Sequence, residues 1–451
     1  MAQSNQQRLR LDWVKSEVTV DTALREIPVH NVLQPDWDDS GIVIHHSVLR
    51  VPPGWLDTAY QPYKYVMCYT PFRTNSDENP HLAFSNDGNS WSETLQRNDG
   101  GVDSISNPLW TPRSMEKFVF WQTNEIIHLS DPDIIFDASD RLWLVFRVKI
   151  QADLVTAKYQ LVITTTSDNG LSWTTPQIIV DTDRGDPVKG AMWSPAIWME
   201  NPNLFRMMGV YTNAYGQAPL DSINRVALWS CNSPTPNGFW QEDTVLYDFL
   251  PSDTASRDWW HPEVLHRGPD ELILLMTTTK IRTDGTNAAL FLATSADGGL
   301  NWDTAGQVFD GTEFPWTDIP FAYRCGALLT TNDTADIIDF WLGSKDPTVT
   351  GGENVRTGRA RLVFKPICDT VLVCPPCCTL PGDADGDGMF TIGDVSFTIA
   401  RIFAGGPAPT CQDAADANGD NLYNVADISY AIDRIFSGGP APVCGKFYQF
   451  Q

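Results

Sequence analysis

Residues able to do acid–base chemistry or to bind sugars stand at the start of five β-rich segments. Carboxylates can exchange protons or hold hydroxyl groups, and indole rings offer broad apolar faces with one polar N–H. If the five segment starts meet at one point, their side chains predict a carbohydrate site. The segments begin with HHSVLRV at His45, SDPDIIF at Ser130, WSPAIWM at Trp193, WHPEVLH at Trp260 and YRCGALL at Tyr323.

The spacing of these segments predicts how they are positioned. Their starts recur at similar intervals along the chain, and each is followed by further strand-like runs bounded by turn residues. Such an interval fits one four-stranded blade of a β-propeller, whose innermost strands surround a central channel. The sequence therefore predicts a mainly β fold, with a five-bladed β-propeller over residues 41–366. Residues 1–40 are predicted to supply the strand that closes it.

A second repeated motif supports the same count. SNDGNSW at 85–91, SDNGLSW at 167–173 and SADGGLNW at 295–302 share a Ser, an Asp, a Gly and a Trp, and SCNSPTPNGFW at 230–240 is a degenerate copy. In such a turn Ser and Asp side chains bond backbone groups while Gly takes a positive φ. The motif resembles the Asp box of sialidases and related propellers, where it is a structural turn. The early Arg-Ile-Pro context of sialidases is missing from this sequence, so sialidase activity is not predicted.

The order of the five segments resembles the five-bladed glycoside hydrolases of the arabinanase, xylosidase, invertase and levansucrase clans, over about residues 40–365. Those families use a base or nucleophile from the first blade, a helper Asp from the second and an acid Glu from a later blade. By position the resemblance implies that Asp131 is the helper or base and Glu263 the acid. His46 and Ser47 stand where the first-blade acid is expected, and Glu78 is the candidate substitute.

Cleavage of a glycosidic bond needs two carboxyl groups flanking that bond, one of them with a pKa raised by burial. Glu263 follows two tryptophans, a setting that suits the acid role. The alternative is a non-catalytic propeller that binds carbohydrate or serves as a structural surface or assembly protein. The residues predicted to bind the substrate are His46, Trp193, Trp260, His261 and Arg324.

Two twelve-residue segments near the C-terminus have the oxygen spacing of calcium-binding loops. DADGDGMFTIGD covers 383–394, and DANGDNLYNVAD covers 416–427. Ca²⁺ takes six to eight oxygen ligands, and the sixth loop position favours the positive φ that Gly388 and, less ideally, Asn421 provide. The predicted ligands, with position 7 contributing its backbone carbonyl, are Asp383, Asp385, Asp387, Met389, Thr391, Asp394, Asp416, Asn418, Asp420, Leu422, Asn424 and Asp427.

An amphipathic run follows each loop, and GGPAP follows each run, which predicts two helices with defined ends. Position 12 is Asp rather than the Glu of an EF-hand, and no helix is predicted before either loop. The pair closely resembles a dockerin, a paired calcium module that docks onto cohesin domains or surface scaffolds. The resemblance implies a small α-helical domain over 381–451 with two Ca²⁺ ions and a cohesin-like or scaffold partner. Another copy of the same chain is the alternative partner.

Cysteines are concentrated in the same region of the chain. Cys378, Cys411 and Cys444 recur at the same interval as the two loops, and a bridge among them, or to Cys374 or Cys377, is expected to staple a domain too small for a large core. Zinc at the CPPC sequence is a weaker alternative, since no second pair or His follows at a suitable spacing. Disulfides indicate an oxidising compartment, so the chain is predicted to be extracellular or at the cell surface.

The overall composition excludes several classes of partner. The 451-residue chain carries a formal charge of −25, whereas nucleic acids and anionic membranes attract basic proteins. No apolar run approaches the length that a membrane-spanning helix needs, so no membrane span is predicted. The first residues lack the apolar core of a secretory signal, so export is inferred from the cysteines alone. Residues 367–380, rich in Cys and Pro, are predicted to form a linker.

Overall fold

The computed structural model describes most of the chain between residues 43 and 444. The contacts divide the chain into two compact units, one formed by 8–332 and 336–364 and the other by 1–7, 333–335 and 365–451. The predicted closing segment 1–40 and most of the predicted linker lie outside the described residues. The described residues are 43–71, 78–117, 126–150, 158–183, 191–212, 225–247, 257–268, 270–280, 288–312, 314, 320–332, 335–346, 355–364, 378, 380–404, 406–407, 409, 411–420 and 423–444.

The larger unit contains the first three blades in chain order, each an antiparallel sheet of four consecutive strands. Blade 1 comprises β1 (Val43–Arg50), β2 (Tyr65–Pro71), β3 (His81–Ser85) and β4 (Trp91–Ser92). A small ribbon, β5 (Thr94–Gln96) with β6 (Val102–Ser104), and a short helix, α1 (Pro112–Met115), follow it. Blade 2 comprises β7 (Ile126–Phe136), β8 (Leu142–Ile150), β9 (Lys158–Thr166) and β10 (Gln177–Asp183). Blade 3 comprises β11 (Ala191–Asn201), β12 (Leu204–Thr212), β13 (Arg225–Cys231) and β14 (Gln241–Tyr247).

Two further blades complete the ring. Blade 4 comprises β15 (Arg257–Gly268), β16 (Glu271–Lys280), β17 (Ala289–Ser295) and β18 (Asp303–Phe309). Blade 5 has three described strands, β19 (Cys325–Asn332), β20 (Ala335–Lys345) and β21 (Val355–Phe364). Each innermost strand contacts the next, and β19 contacts β1. The prediction of a five-bladed propeller is therefore confirmed.

Apolar side chains fill the interfaces between neighbouring blades. Blades 1 and 2 share one cluster, and each following pair, including blades 5 and 1, shares another. The strands are buried on both faces, so they read as apolar runs rather than strict alternation. Representative pairs across successive interfaces are Phe84 with Phe146, Trp143 with Phe205, Trp198 with Leu274, Leu275 with Phe340 and Trp341 with Tyr69.

β-Bulges near the channel set the direction of the site side chains. The ladders of β1, β7, β11 and β15 with their neighbours all shift register where the segment motifs lie. His45, Asp131 and Ser194 adopt φ values of 55°, 53° and 51° at these bulges. A non-glycine residue in this left-handed region is uncommon, and a bulge re-aims its side chain. The three residues therefore occupy equivalent places in blades 1, 2 and 3.

A repeated hydrogen bond identifies a second set of equivalent positions. The amide of Ile134 donates to Ser47 Oγ at 3.1 Å, and the amide of Ala327 donates to Glu263 Oε1 at 3.0 Å. Likewise the amide of Ile197 donates to Asp133 Oδ2 at 2.7 Å. Each bond joins the inner strands of two blades. We call the set that these bonds define, Ser47, Asp133 and Glu263, the lower layer, and the set two residues earlier, His45, Asp131 and His261, the upper layer.

The Ser-Asp-Gly-Trp turns fasten one strand to the next. In the turn of blade 4, Asp297 Oδ1 accepts the amide of Asn301 at 2.8 Å, and Trp302 Nε1 donates to Gly299 O at 2.8 Å. In the turn of blade 1, Gly88 O also accepts Trp341 Nε1 of blade 5 at 2.7 Å. These bonds account for the residue pattern without any catalytic role.

Asp297→Ala is expected to lower the free energy of unfolding by about 1–3 kcal/mol, because the turn amide of Asn301 loses its acceptor. Thermal and denaturant unfolding of the whole chain would measure the change. Asp99→Ala is the control, because Asp99 also accepts a turn amide, that of Gly101 at 2.9 Å, but in an exposed turn with Arg97 where water can replace the lost acceptor, so its loss should change stability much less. Equal effects of the two substitutions would contradict the role given to the turn.

The smaller unit contains helices α2 (Ile392–Ala404), α3 (Gln412–Ala415) and α4 (Val425–Ser437). Val395 of α2 packs with Ile428 and Ala431 of α4. A disulfide joins Cys378 to Cys444, which confirms the expected staple, and Cys411 is also disulfide-bonded. Within the described residues, no helix is long and apolar enough to cross a membrane.

Candidate functional site

Two imidazoles and one carboxylate of the upper layer meet at the centre of the propeller. His45 Nε2 lies 2.9 Å from Asp131 Oδ1, and His261 Nδ1 lies 3.9 Å from the same oxygen. One candidate ligand atom from each residue lies within 4.8 Å of the other two. All three residues are buried. Two histidines and one carboxylate are a donor set that suits Zn²⁺ or a similar divalent metal.

Neighbouring polar groups hold these three side chains in place. Thr70 Oγ1 lies 2.8 Å from His45 Nδ1, and Ser194 Oγ lies 2.6 Å from His261 Nδ1. Arg147 Nε lies 2.9 Å from Asp131 Oδ2. Fixing the far atom of a ligand is how metal sites orient imidazoles and carboxylates, and Thr70 and Arg147 do this for His45 and Asp131. His261 Nε2 is buried and has no hydrogen-bond partner in the described part of the chain.

Two carboxyl groups beside one another have opposite pKa shifts. Burial would raise the pKa of Asp131, but the charges of Arg147 and His45 outweigh it and hold that pKa well below its usual value. Burial raises the pKa of Glu78, which bonds Ser130 and feels the charges of His45 and Arg147. Carboxyl groups whose pKa values are pushed apart can take different roles, one a permanent anion and the other a proton carrier.

Burial favours the neutral form of the His261 imidazole at the centre. Burial lowers the pKa of His261 well below its usual value, and it does the same for His128 of β7. Both ring nitrogens of His128 lack a hydrogen-bond partner among the described residues, although the charges of Arg147 and Asp131 act on it. A neutral imidazole can ligate a metal or accept a proton.

Three aromatic side chains line the same centre. Trp193 and Trp260 have ring centroids 6.1 Å apart, and Trp260 and Tyr323 are 6.3 Å apart. Tyr323 also touches the rings of His261 and His45, at 4.8 and 5.4 Å. The three aromatic residues are only partly buried. They can therefore offer apolar surface to a sugar at the entrance to the polar cluster.

The structure separates the sequence-predicted residues into two groups. Asp131, Glu78, His261, Trp193 and Trp260 come together at the upper layer. Glu263, Arg324 and His46 do not join them, as the bonds of the lower layer show. Their predicted roles remain predictions.

The lower-layer residues are occupied by contacts between blades. Burial, followed by the charge of Asp133, raises the pKa of Glu263 well above its usual value, and its carboxyl group bonds the backbone of blade 5. Arg324 donates to Pro195 O at 2.8 Å and lies 3.8 Å from Asp133 Oδ1. His46 Nε2 lies 2.9 Å from Thr357 Oγ1 of blade 5. These contacts suit structural roles.

Sequence reasoning misses His45 of the cluster and the nearby His128. It selects His46 rather than His45, because the bulge that turns the His45 side chain into the centre has no marker in the sequence. His128 precedes Asp131 on β7, and nothing in strand periodicity distinguishes it from a core histidine. The adjacent pair of histidines at the start of blade 1 is the available signal for the first.

The smaller unit places the predicted calcium ligands in two similar loops. Carboxylate oxygens of Asp383, Asp385 and Asp387 lie within 4.8 Å of one another. Asp394 accepts the amides of Ala384 and Thr391, both at 2.7 Å. Asp427 makes the corresponding bonds to Asn418 and Asn424 in the second loop, at 3.3 and 2.8 Å. The predicted ligand Leu422 and the neighbouring Asn421 lie outside the described residues.

Comparison with known proteins supports the fold. No protein-family model matches the sequence, and no curated protein matches it either. An N-acetylgalactosamine deacetylase from F. plautii superposes with a TM-score of 0.52 and 19% identity, over 74% of this chain and 93% of the deacetylase. A xylan β-1,4-xylosidase from Bacillus halodurans C-125 has a TM-score of 0.46 and 12% identity, over 71% of this chain and 52% of its own.

An endo-arabinanase from Bacillus licheniformis has a TM-score of 0.42 and 12% identity, over 73% of this chain and 95% of its own. The superposition on the deacetylase shows that the two proteins share a fold. At these identities the likeness assigns no activity, because one propeller fold carries many functions.

Proposed function

We propose that the propeller is a carbohydrate-active hydrolase that removes an acyl group from a sugar with the help of a divalent metal ion. The proposal rests on the buried cluster of His45, Asp131 and His261, whose side chains are held in place by hydroxyl and guanidinium groups. The protein with the same fold is named for deacetylating N-acetylgalactosamine. We therefore propose an N-acetylated sugar as the substrate.

The chain's own residues supply the rest of the chemistry. A divalent ion held by the cluster would polarise the acyl carbonyl and lower the pKa of a water molecule. Glu78, with one carboxyl oxygen unbonded among the described residues, is placed to take the proton from that water as the new C–O bond forms. The same carboxyl group then gives the proton to the departing nitrogen as the C–N bond breaks, leaving acetate and a free amine.

The arrangement favours acyl transfer over cleavage of a glycosidic bond. Glycoside hydrolysis needs two carboxyl groups facing the scissile bond. Here Asp131 is engaged by two histidines and an arginine, while Glu263 bonds a backbone amide in the lower layer. These contacts do not support Asp131 and Glu263 as a catalytic pair. The carboxyl group beside the cluster is that of Glu78.

A product assay tests the proposal. The full chain, supplied with Zn²⁺ or Mn²⁺, would be incubated with N-acetylated sugars, arabinan, xylan and aryl glycosides, and free acetate and new reducing ends would be measured separately. The proposal expects acetate without new reducing ends. Reducing ends without acetate would instead establish a glycoside hydrolase, and ligand binding without either product would establish a carbohydrate-binding propeller.

We also propose that the smaller unit binds two Ca²⁺ ions and anchors the propeller to an extracellular or cell-surface scaffold. Two loops of the same design support this, together with the disulfide that staples the unit. Another copy of the chain is the alternative partner. Sedimentation of the calcium-loaded protein, alone and with cohesin domains, would separate the two.

Calcium binding to the smaller unit is expected to weaken as the pH falls. Burial, with a contribution from the Asp416 carboxylate, raises the pKa of Asp427 to about 7. A carboxyl group with a raised pKa carries a proton below that value, and Ca²⁺ must displace this proton to bind. Titration calorimetry at pH 6 and pH 8 should give about tenfold weaker binding at pH 6, since one displaced proton costs a factor of about ten per pH unit below the pKa.

Two variants check that the effect belongs to the loops. Asp416→Asn should reduce the stoichiometry from two Ca²⁺ to one, and the remaining binding, at loop 383–394, should lack the pH dependence that Asp427 causes. Asp433→Asn is the control, because Asp433 lies exposed on α4 outside both loops. Affinity independent of pH, or a stoichiometry of two for Asp416→Asn, would contradict the assignment.

A further inference from the structure

Six side chains form a closed ring of contacts, and two of them belong to the proposed metal-ligand cluster. Asp131 contacts His45 at 2.9 Å, and His45 contacts Tyr323 with a centroid distance of 5.4 Å. Tyr323 contacts Trp260 at 6.3 Å, and Trp260 contacts Trp193 at 6.1 Å. The ring consists of Asp131, His45, Tyr323, Trp260, Trp193 and Arg147, the last of which lies 4.7 Å from the Trp193 ring and 2.9 Å from Asp131.

His261 forms the floor of this ring. Its imidazole contacts His45, Tyr323 and Trp260 at centroid distances of 5.1, 4.8 and 5.7 Å, and it lies 3.9 Å from Asp131. Only 1% of its surface is exposed, and its Nε2 has no partner among the described residues. The aromatic members of the ring are partly exposed, whereas the polar members are buried. The opening is therefore on the aromatic side.

We call the ring and its His261 floor the cup. From its shape we propose that the enzyme acts only on a sugar at the end of a chain, and that Trp193 is a specificity-determining residue for that sugar. The proposal rests on the acyl hydrolysis proposed above. The carbonyl carbon of an acetamido group is two bonds from the sugar ring. When that carbon reaches the floor, the sugar ring itself must lie against the aromatic side of the ring, where Trp193, Trp260 and Tyr323 contact one another in a continuous wall. A sugar within a chain has neighbours on both sides, and the walls stand where one of them would pass.

The wall formed by Trp193 is held rigidly. The Arg147 guanidinium stacks on its ring, and the Tyr159 ring of β9 lies 5.9 Å away. A cation–π contact of this kind at a buried site is favourable and orients the indole. The indole Nε1 is buried without a partner among the described residues. It is therefore a hydrogen-bond donor available to a hydroxyl group of the sugar.

Two matched trisaccharides test the proposal. Each carries one N-acetyl group, either on the non-reducing terminal sugar or on the middle sugar, and acetate release by the full metal-loaded chain is measured. The terminal substrate should be preferred by at least about 100-fold in kcat/KM, since a clash or an unpaired donor disfavours the other. Trp193→Ala should reduce the preference to about tenfold or less by opening the wall. Equal turnover of the two trisaccharides by wild type would overturn the proposal.

Further variants and a binding measurement keep the result interpretable. Trp193→Phe keeps a wall but removes the N–H donor, so the preference should persist with KM raised about 3- to 30-fold. Phe239→Ala is the control, because this aromatic of blade 3 is 85% exposed and lies in a turn. If neither trisaccharide releases acetate, the hydrolase proposal fails. Calorimetric binding of the terminal trisaccharide alone would then still support the cup, and equal binding of both would overturn it.

Discussion

Asp131→Asn should lose the divalent metal, and its kcat/KM for acetate release should fall by at least about 10³-fold. The carboxylate is the only anionic member of the proposed ligand set, and its low pKa keeps it charged throughout the working range. An amide at this place leaves only the two imidazoles to ligate the ion, and it also leaves the buried guanidinium of Arg147 without its anionic partner. The metal content after dialysis and kcat/KM for acetate release are the two measurements.

A second substitution in the same blade controls for the chemical change. Asp140→Asn also converts Asp to Asn, at an exposed position with φ of 57°, a conformation that Asn tolerates. Metal content and activity should remain at wild-type levels. His261→Ala should reproduce the loss seen for Asp131→Asn. Full metal content in Asp131→Asn, with the fold intact by circular dichroism, would contradict the ligand assignment.

Glu78→Gln should keep the metal and slow turnover by about 10²- to 10⁴-fold, the range for loss of a general acid–base group. Glu78 lies beside the cluster without being a proposed ligand, so metal content and activity should separate in this variant. Burial raises the pKa of Glu78, and a base must be deprotonated to accept a proton. The wild-type rate should therefore fall as the pH drops through this raised pKa, and the variant should lack that acidic limb.

Glu263→Gln provides the comparison that distinguishes the two enzyme hypotheses. If Glu263 only holds the backbone of blade 5, the Gln substitution should lower the stability of the fold while leaving turnover within about threefold of wild type. Glu116→Gln is the control, because it makes the same chemical change at an exposed position. If turnover instead falls about 100-fold or more in Glu263→Gln and changes little in Glu78→Gln, the acid role returns to the residue that the sequence predicts.

The sequence is sufficient to predict the fold because each blade repeats its inner segment and most blades repeat the turn. A Pro directly follows Asp131, Ser194 and His261, so a proline accompanies three of the bulges. The pattern does not show the layer in which each side chain of the inner strands lies. Asp131 and Asp133 lie close together on one strand, and only the hydrogen bonds between blades reveal that they belong to different layers.

The same limitation explains the histidines and Glu78. His45 and His46 are adjacent, yet one ring lies against Asp131 and the other against Thr357. That outcome depends on a bulge with a left-handed residue, which local propensity does not favour. Glu78 reaches the cluster from the connection between β2 and β3, a long-range contact that spacing does not encode. The two Asp-rich loops, by contrast, are easier to predict, because all the proposed calcium ligands of each loop lie within one short stretch of sequence.

The most direct test of the central claim is acetate release from an N-acetylated sugar before and after removal of the proposed propeller metal. 1,10-Phenanthroline in the presence of excess Ca²⁺ would strip a transition metal while leaving Ca²⁺ available to the smaller unit. We predict that acetate release is lost and returns when Zn²⁺ or Mn²⁺ is restored. Acetate release that persists in a protein shown to contain no transition metal would contradict the account.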